Sequence, residues 1–169
     1  MDLATYFGIA GMLANAIWPL ATRRHYLLLG QVLACGLMFS HFFLLNAKTG
    51  ALVMLIAGMQ ATLALPLEKH PRFKSIYLYS ILLTPLLCWY TWGGWPSVLS
   101  SCALMIYCFA NLHMDIVIMK RYLVLCILLW FAHNLLVESI PGLISNALAL
   151  STLLFSYLSS ISGKNLFKK

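Results

Sequence analysis

Seven long apolar runs divide this chain, and the charges between them sort onto alternating sides. The runs are Thr5–Ala21, Tyr26–Asn46, Thr49–Leu67, Ile76–Trp92, Trp95–Leu112, Met119–Val137 and Pro141–Ser159. Each holds about 17–21 residues, the length a helix needs to cross a hydrocarbon core of roughly 30 Å at about 1.5 Å per residue. The odd connections and the C-terminus carry Arg23, Arg24, Lys69, Arg72, Lys74, Lys120, Arg121, Lys164, Lys168 and Lys169; the even connections carry Lys48 alone. Ten of the eleven basic residues thus share one side, and one span more or fewer would scramble that sorting. Short basic loops resist translocation, so this side is expected to be cytoplasmic, with the N-terminus outside and the C-terminus inside. The expected fold class is an all-α membrane protein of seven transmembrane helices.

Composition excludes the main competing classes. No soluble domain of this size could bury a chain that is 62% apolar and 9% charged. The net charge of +7 invites a nucleic-acid partner. Its placement argues otherwise, because cations at span ends meet lipid phosphates, and the bilayer is the expected partner. The first run does not read as a cleavable signal peptide: Asp2 precedes it and Arg23 and Arg24 follow, the reverse of the usual order. Cys35, Cys88, Cys102, Cys108 and Cys126 all fall inside spans, and no pair has metal-ligand spacing. Neither a disulfide nor a metal site is expected. No phosphate-binding loop, dinucleotide fingerprint, zinc-protease helix or nucleophile elbow occurs, so no cofactor is implied.

The chain also repeats itself. At a shift of 92 residues, His41-Phe42-Phe43-Leu44-Leu45-Asn46-Ala47-Lys48-Thr49-Gly50 aligns with His133-Asn134-Leu135-Leu136-Val137-Glu138-Ser139-Ile140-Pro141-Gly142. Histidine falls on histidine, Leu44 on Leu136 and glycine on glycine. Both segments follow a doubly basic pair, Arg23-Arg24 and Lys120-Arg121. Spans 1–3 then pair with spans 5–7, four spans apart, so the halves share one orientation and are expected to be related by an axis along the membrane normal. The whole reads as a single transmembrane domain, 1–169. Repeat one covers about 1–67, a linker helix about 76–92 and repeat two about 93–163, in a 3+1+3 arrangement with a short basic tail, 164–169.

These segments resemble a known family. Arg23-Arg24 followed by a span ending His41-Phe42-Phe43-Leu44-Leu45-Asn46 is similar to the first half of the YgjV family of bacterial inner-membrane proteins. In the second half, Arg121-Tyr122-Leu123-Val124-Leu125 and then Leu129-Trp130-Phe131-Ala132-His133-Asn134 through Ser139-Ile140-Pro141-Gly142 looks like that family's Trp-x-x-x-Asn-x-x-x-x-Ser signature and turn. The resemblance implies a multi-pass protein of the bacterial inner membrane, so the outside N-terminus expected from the charges would be periplasmic. The arrangement is similar to the PQ-loop and SWEET-like group, where a proline near the inner end of each repeat's first helix acts as a bending point. Pro19, in Trp18-Pro19-Leu20, stands in that place, but no Gln follows it, and span 5 offers Ala110-Asn111 with no proline.

Neutral polar residues inside the spans carry whatever chemistry exists. No carboxylate lies well inside one, which removes the usual proton-relay group. His41 and His133, equivalent in the repeat, are the sharpest candidates. Their imidazoles either line an outward cavity or simply bond a neighbouring helix. Asn134 adjoins His133 about 100° around the helix, so at most one of the two is expected to face the centre. Asn15, Gln60 and Asn146 could offer bonds to a solute near mid-membrane, or hold helices together, as could Gln31. Trp18 and Trp130 could stack on a solute ring or pack. Tyr77, Tyr79, Trp89 and Tyr90 read as a lipid-facing belt. The expected substrate-binding set is Asn15, Trp18, His41, Gln60, His133 and Asn146, with Pro19 as hinge.

The expected function is a small-molecule transporter or facilitator for a neutral or zwitterionic solute. The alternative is a non-transporting accessory or assembly protein of the membrane. An enzyme is not expected, since no nucleophile, acid or metal set surrounds the histidines. Beyond lipid and solute, a second copy of the chain is the remaining partner class. A transporter requires a polar cavity reaching mid-membrane; an accessory protein requires a tightly packed centre.

Overall fold

The apolar runs become helices in a computed structural model that describes residues 3–44, 48–67, 69–136 and 140–161. Seven α-helices occur among the described residues: α1 Leu3–Ile17, α2 Arg24–Leu44, α3 Lys48–Ala64, α4 Lys74–Tyr90, α5 Trp95–Leu112, α6 Ile116–Leu136 and α7 Ile140–Ile161. Short 3-10 turns at Trp18–Leu20 and Pro71–Phe73 precede α2 and α4. Five stretches are long and apolar enough to cross a membrane: Leu3–Leu20, Arg24–Leu44, Trp95–Leu112, Ile116–Leu136 and Gly142–Ser159. The helices α3 and α4, at 17 residues each, are about 26 Å long, at the short end of the range that crosses a membrane. Helix α3 stops at Ala64 because Pro66 follows, and a proline disfavours helical geometry in the residue before it.

Local chemistry sets the other boundaries. Asp115 caps α6, its Oδ1 accepting from the backbone N–H groups of Val117 at 2.7 Å and Ile118 at 3.0 Å. Gly94 turns the chain into α5 at φ 85°, and Pro96 takes the first turn of that helix. Pro19 does not bend a continuing helix: α1 ends at Ile17, and Pro19 sits fully buried in the 3-10 turn beyond it. Its missing N–H makes it a terminator in that position.

The helices close into a ring. Each packs on the next in the order α1, α2, α3, α5, α6, α7, and α7 returns to α1. Helix α4 stands outside the ring against α5. Leu82, Leu83, Leu86, Trp89 and Tyr90 of α4 are exposed, which is unremarkable in lipid. Tyr77 departs from the expected aromatic belt. It is fully buried, and its hydroxyl donates to the backbone carbonyl of Gln60, tying α4 to α3. Tyrosine tips need a partner wherever water is absent.

The register is regular. The helices α1, α2 and α3 begin at residues 3, 24 and 48; α5, α6 and α7 begin at 95, 116 and 140, a shift of 92 in each case. The turn residues 45–47 and 137–139, Glu138 among them, and the basic tail 164–169 lie outside the described residues.

Candidate functional site, a cavity inside the helical ring

A cavity of about 640 Å³ occupies the centre of the ring. All six ring helices line it and α4 contributes nothing. The lining follows the register. Helix α2 presents Gln31, Ala34, Cys35, Met38, His41 and Phe42; α6 presents Leu123, Cys126, Ile127, Trp130, His133 and Asn134, each 92 residues on. Val53, Met54 and Ala57 of α3 match Ser145, Asn146 and Ala149 of α7 in the same way. Helices α1 and α5 break the pattern, since α1 and the turn after it line the cavity from Thr5 to Trp18 whereas α5 supplies only Leu104 and Tyr107.

The cavity sits toward the face that carries the start of α1. Its lining reaches exposed Thr5 there and stops at Trp18, Gln31 and Tyr107 in the interior. The other half of the ring is packed solid by Leu27, Leu28, Ala61, Cys108, Met119 and Leu153, all fully buried. Gly30 allows that floor to close, because a Cβ placed on it would overlap Cβ of Trp18.

The two histidines are held alike. Nδ1 of His41 donates to the carbonyl of Ala4 at 2.8 Å, and Nδ1 of His133 donates to the carbonyl of Pro96 at 2.7 Å. Ala4 and Pro96 are themselves 92 residues apart. A carbonyl can only accept, so Nδ1 carries the proton, and Nε2 of the neutral ring is left as an acceptor. Deeper in, Trp18 Nε1 donates to Asn15 Oδ1 at 3.2 Å, and Asn15 Nδ2 donates to Ser145 Oγ at 3.5 Å, joining α1 to α7. The Tyr107 hydroxyl donates to Gln31 Oε1 at 3.0 Å, joining α5 to α2. Gln31 Nε2 and Asn146 Nδ2 are buried with no protein partner. Among the described residues, no Asp, Glu, Lys or Arg lines the cavity.

Of the six expected binding residues, Asn15, Trp18, His41, His133 and Asn146 line this one cavity, and Gln60 does not. Gln60 is buried one turn below Ala57, the last lining residue of α3, so it lies under the cavity floor. His133 and Asn134 both line the cavity, contrary to the expectation that only one would face inward. Asn134 packs on Gly142, where a Cβ would stand 2.6 Å from its Cγ, which holds the amide at the edge of the opening. Gln31, Tyr107 and Ser145 were absent from the expected set. Gln31 was legible, since positions 31, 34, 38 and 41 form one helical stripe on α2 ending at His41.

The opposite face is closed by a cation. Arg24 donates from Nε to the His113 carbonyl at 2.9 Å, from Nη1 to the Ala64 carbonyl at 2.9 Å and from Nη2 to the Asn111 carbonyl at 2.8 Å. These carbonyls end α3 and α5, where helical partners run out and the helix dipole favours a positive charge. Arg24 therefore binds helix ends as well as marking the basic side. Lys120 also departs from a lipid-facing role. It is fully buried on α6, and its Nζ donates to Ser156 Oγ of α7 at 2.6 Å.

Neither a curated protein nor a solved structure matches the chain. A family model described as "bacterial inner membrane protein" matches residues 2–162, nearly the whole length. The apolar helices agree with that description. On this match the chain belongs to the Imp-YgjV family of bacterial inner membrane proteins.

Proposed function

We propose that this protein is a transporter or facilitator of small neutral solutes whose two halves, α1–α3 and α5–α7, are parallel repeats moving about the central cavity. The observation that carries the reading is the placement of that cavity: between the two helix triplets, lined at matching positions of α2 and α6 and of α3 and α7. An accessory protein has no use for a hollow centre carrying unpaired amides, and burying such groups costs on the order of 1–3 kcal/mol each. With the basic side in the cytoplasm, the cavity faces the periplasm and Arg24 closes the inner end. Transport then requires Arg24 to release the ends of α3 and α5. Pro19, in the 3-10 turn between α1 and α2, is the hinge candidate.

Thiol accessibility tests this reading. Cys35 and Cys126 line the cavity. With Cys88, Cys102 and Cys108 replaced by alanine, a membrane-impermeant maleimide is applied to each face of sealed vesicles. Alternating access predicts labelling from both faces, with Arg24→Ala raising the cytoplasmic rate. Labelling from the periplasmic face alone, in both proteins, would discard transport. Fusions test the orientation: a C-terminal fluorescent protein should glow and a C-terminal alkaline phosphatase should stay silent.

A further inference from the structure

The packed half of the ring also buries amides, and they keep to one seam. Gln60 of α3 is 2% exposed and Asn111 of α5 is 0% exposed. Among the described residues, neither the nitrogen nor the oxygen of either amide has a hydrogen-bond partner. Leaving a polar group buried in that state costs on the order of 1–3 kcal/mol. Arg24 fixes where the two residues stand, because one guanidinium holds the carbonyls of both Ala64 and Asn111. Gln60 is one turn before Ala64, so both amides lie within about a turn of the Arg24 bridge, on two helices that pack together. Helical side chains lean toward the start of their own helix, which carries both amides toward the cavity floor at Ala57 and Tyr107. Tyr107 in turn donates to Gln31, whose Nε2 is buried without a protein partner. From the cavity to Arg24 the α3–α5 seam thus reads Gln31 with Tyr107, then Gln60, then Asn111.

The other seam between the halves, where α1 and its following turn meet α7, carries no such pair. At the shift of 92 residues, Gln60 falls on Thr152 and Asn111 on Pro19. The Thr152 hydroxyl donates to the carbonyls of Leu148 at 3.0 Å and Ala149 at 3.1 Å within its own helix, and Pro19 has no polar side chain. We infer that the passage from the cavity to the cytoplasm opens along the α3–α5 seam and not the α1–α7 seam, with Gln60 and Asn111 as its lining. This inference rests on the transporter reading and adds the route. Amides that only hold helices together are bonded in the closed protein, and these two are not. When Arg24 releases the helix ends and the seam parts, both amides regain hydrogen bonds, to water or to an uncharged solute. Each offers N–H donors and a carbonyl acceptor, and neither carries a charge that would hold the solute back. A group that bonds only in the open state shifts the equilibrium toward it.

The test uses the full chain in sealed vesicles of either orientation, with Cys88, Cys102 and Cys108 replaced by alanine so that Cys35 and Cys126 report on the cavity. An impermeant maleimide is applied to each face, and the unfolding temperature of each protein is read in parallel. Gln60→Leu and Asn111→Leu remove the polar atoms at similar volume. Each should slow labelling from the cytoplasmic face about tenfold, because opening the seam would then wet leucine instead of an amide. Labelling from the periplasmic face should not change. The unfolding temperature should rise, because the unpartnered buried groups are gone. Thr152→Leu, on the other seam, should leave both rates as they were. If one of the two seam variants fails to fold, the other decides. Lower unfolding temperatures with unchanged cytoplasmic rates would make the amides structural and overturn this inference. Slowing by Thr152→Leu and not by the seam variants would put the route on the other side, overturning it and leaving transport standing. A parent protein that labels from the periplasmic face alone refutes both readings.

Discussion

At the face where α1 begins, the two halves of the ring do the same thing: His41 holds Ala4 as His133 holds Pro96, and the lining of α2 repeats in α6. At the opposite face they diverge. Arg24 spans the ends of α3 and α5, whereas its counterpart 92 residues on is Ile116, which can make no such bond. Lys120 reaches Ser156 across α6 and α7, whereas the counterparts of those two residues are Leu28 and Ala64, both apolar and fully buried. Lining positions recur in both halves where the ring is hollow, though of the paired residues on α2 and α6 and on α3 and α7 only His41 with His133 and Ala57 with Ala149 are identical. On the proposed transporter reading, the paired histidines would offer a solute the same contact from both halves. An asymmetric floor lets one side chain from one half hold both halves shut.

Substitutions at the two ends should separate these roles, and the packed end should respond most. Arg24→Met leaves three helix-end carbonyls without their charged donor. A loss of about 4 kcal/mol is expected, read as unfolding in mixed micelles. An unchanged stability would mean that water caps those carbonyls as well as the guanidinium does. Gly30→Ala drives a methyl into Trp18, whose Cα and Cβ cannot swing aside, and about 2 kcal/mol should be lost.

The matching close approach at the hollow end should cost less. A Cβ on Gly8 would lie 2.8 Å from Nδ1 of His41, and that ring borders free space. Gly8→Ala is expected to cost about 1 kcal/mol, and a cost equal to that of Gly30→Ala would show that the rim is as rigid as the floor. His41→Phe and His133→Phe each remove one bond to the first turn of a neighbouring helix. Both should lose about 1 kcal/mol and agree within a few tenths. A twofold difference in the folded-state effect would break the equivalence of the halves. Smallest of all, Lys120→Leu with Ser156→Ala installs the Leu28–Ala64 pair in the second half. A buried cation with no carboxylate partner among the described residues is costly, so a gain of about 0.5 kcal/mol is expected in the same assay.

Much of the fold was legible because its causes are local. Apolar run length and the sorting of charges at run ends gave seven helices and their alternation. The 92-residue shift seen in the His41 and His133 segments reappears in the starting residues of three helix pairs. The site was partly legible. His41, His133, Asn15, Trp18 and Asn146 were singled out as polar or aromatic groups that apolar surroundings must accommodate, and all five line one cavity. Gln60 met the same criterion and lies elsewhere, because the criterion reads residue type and not depth along the helix. Tyr107 and Ser145 escaped attention because a tyrosine or serine in a span usually packs without consequence.

What the sequence determines by itself is therefore one-dimensional: which segments are helical, which ends carry charge, which positions recur. Hydropathy and spacing act within a segment, so they can be read without a partner. Tertiary structure alone decided that six helices close a ring while α4 stays outside, that the hollow lies at one end, and that Arg24 turns inward to three carbonyls instead of outward to lipid. Each depends on the rotation and depth of one helix against another. Those are set by close contacts such as Gly30 on Trp18 and Gly8 on His41, pairings between residues that hydropathy scores one at a time.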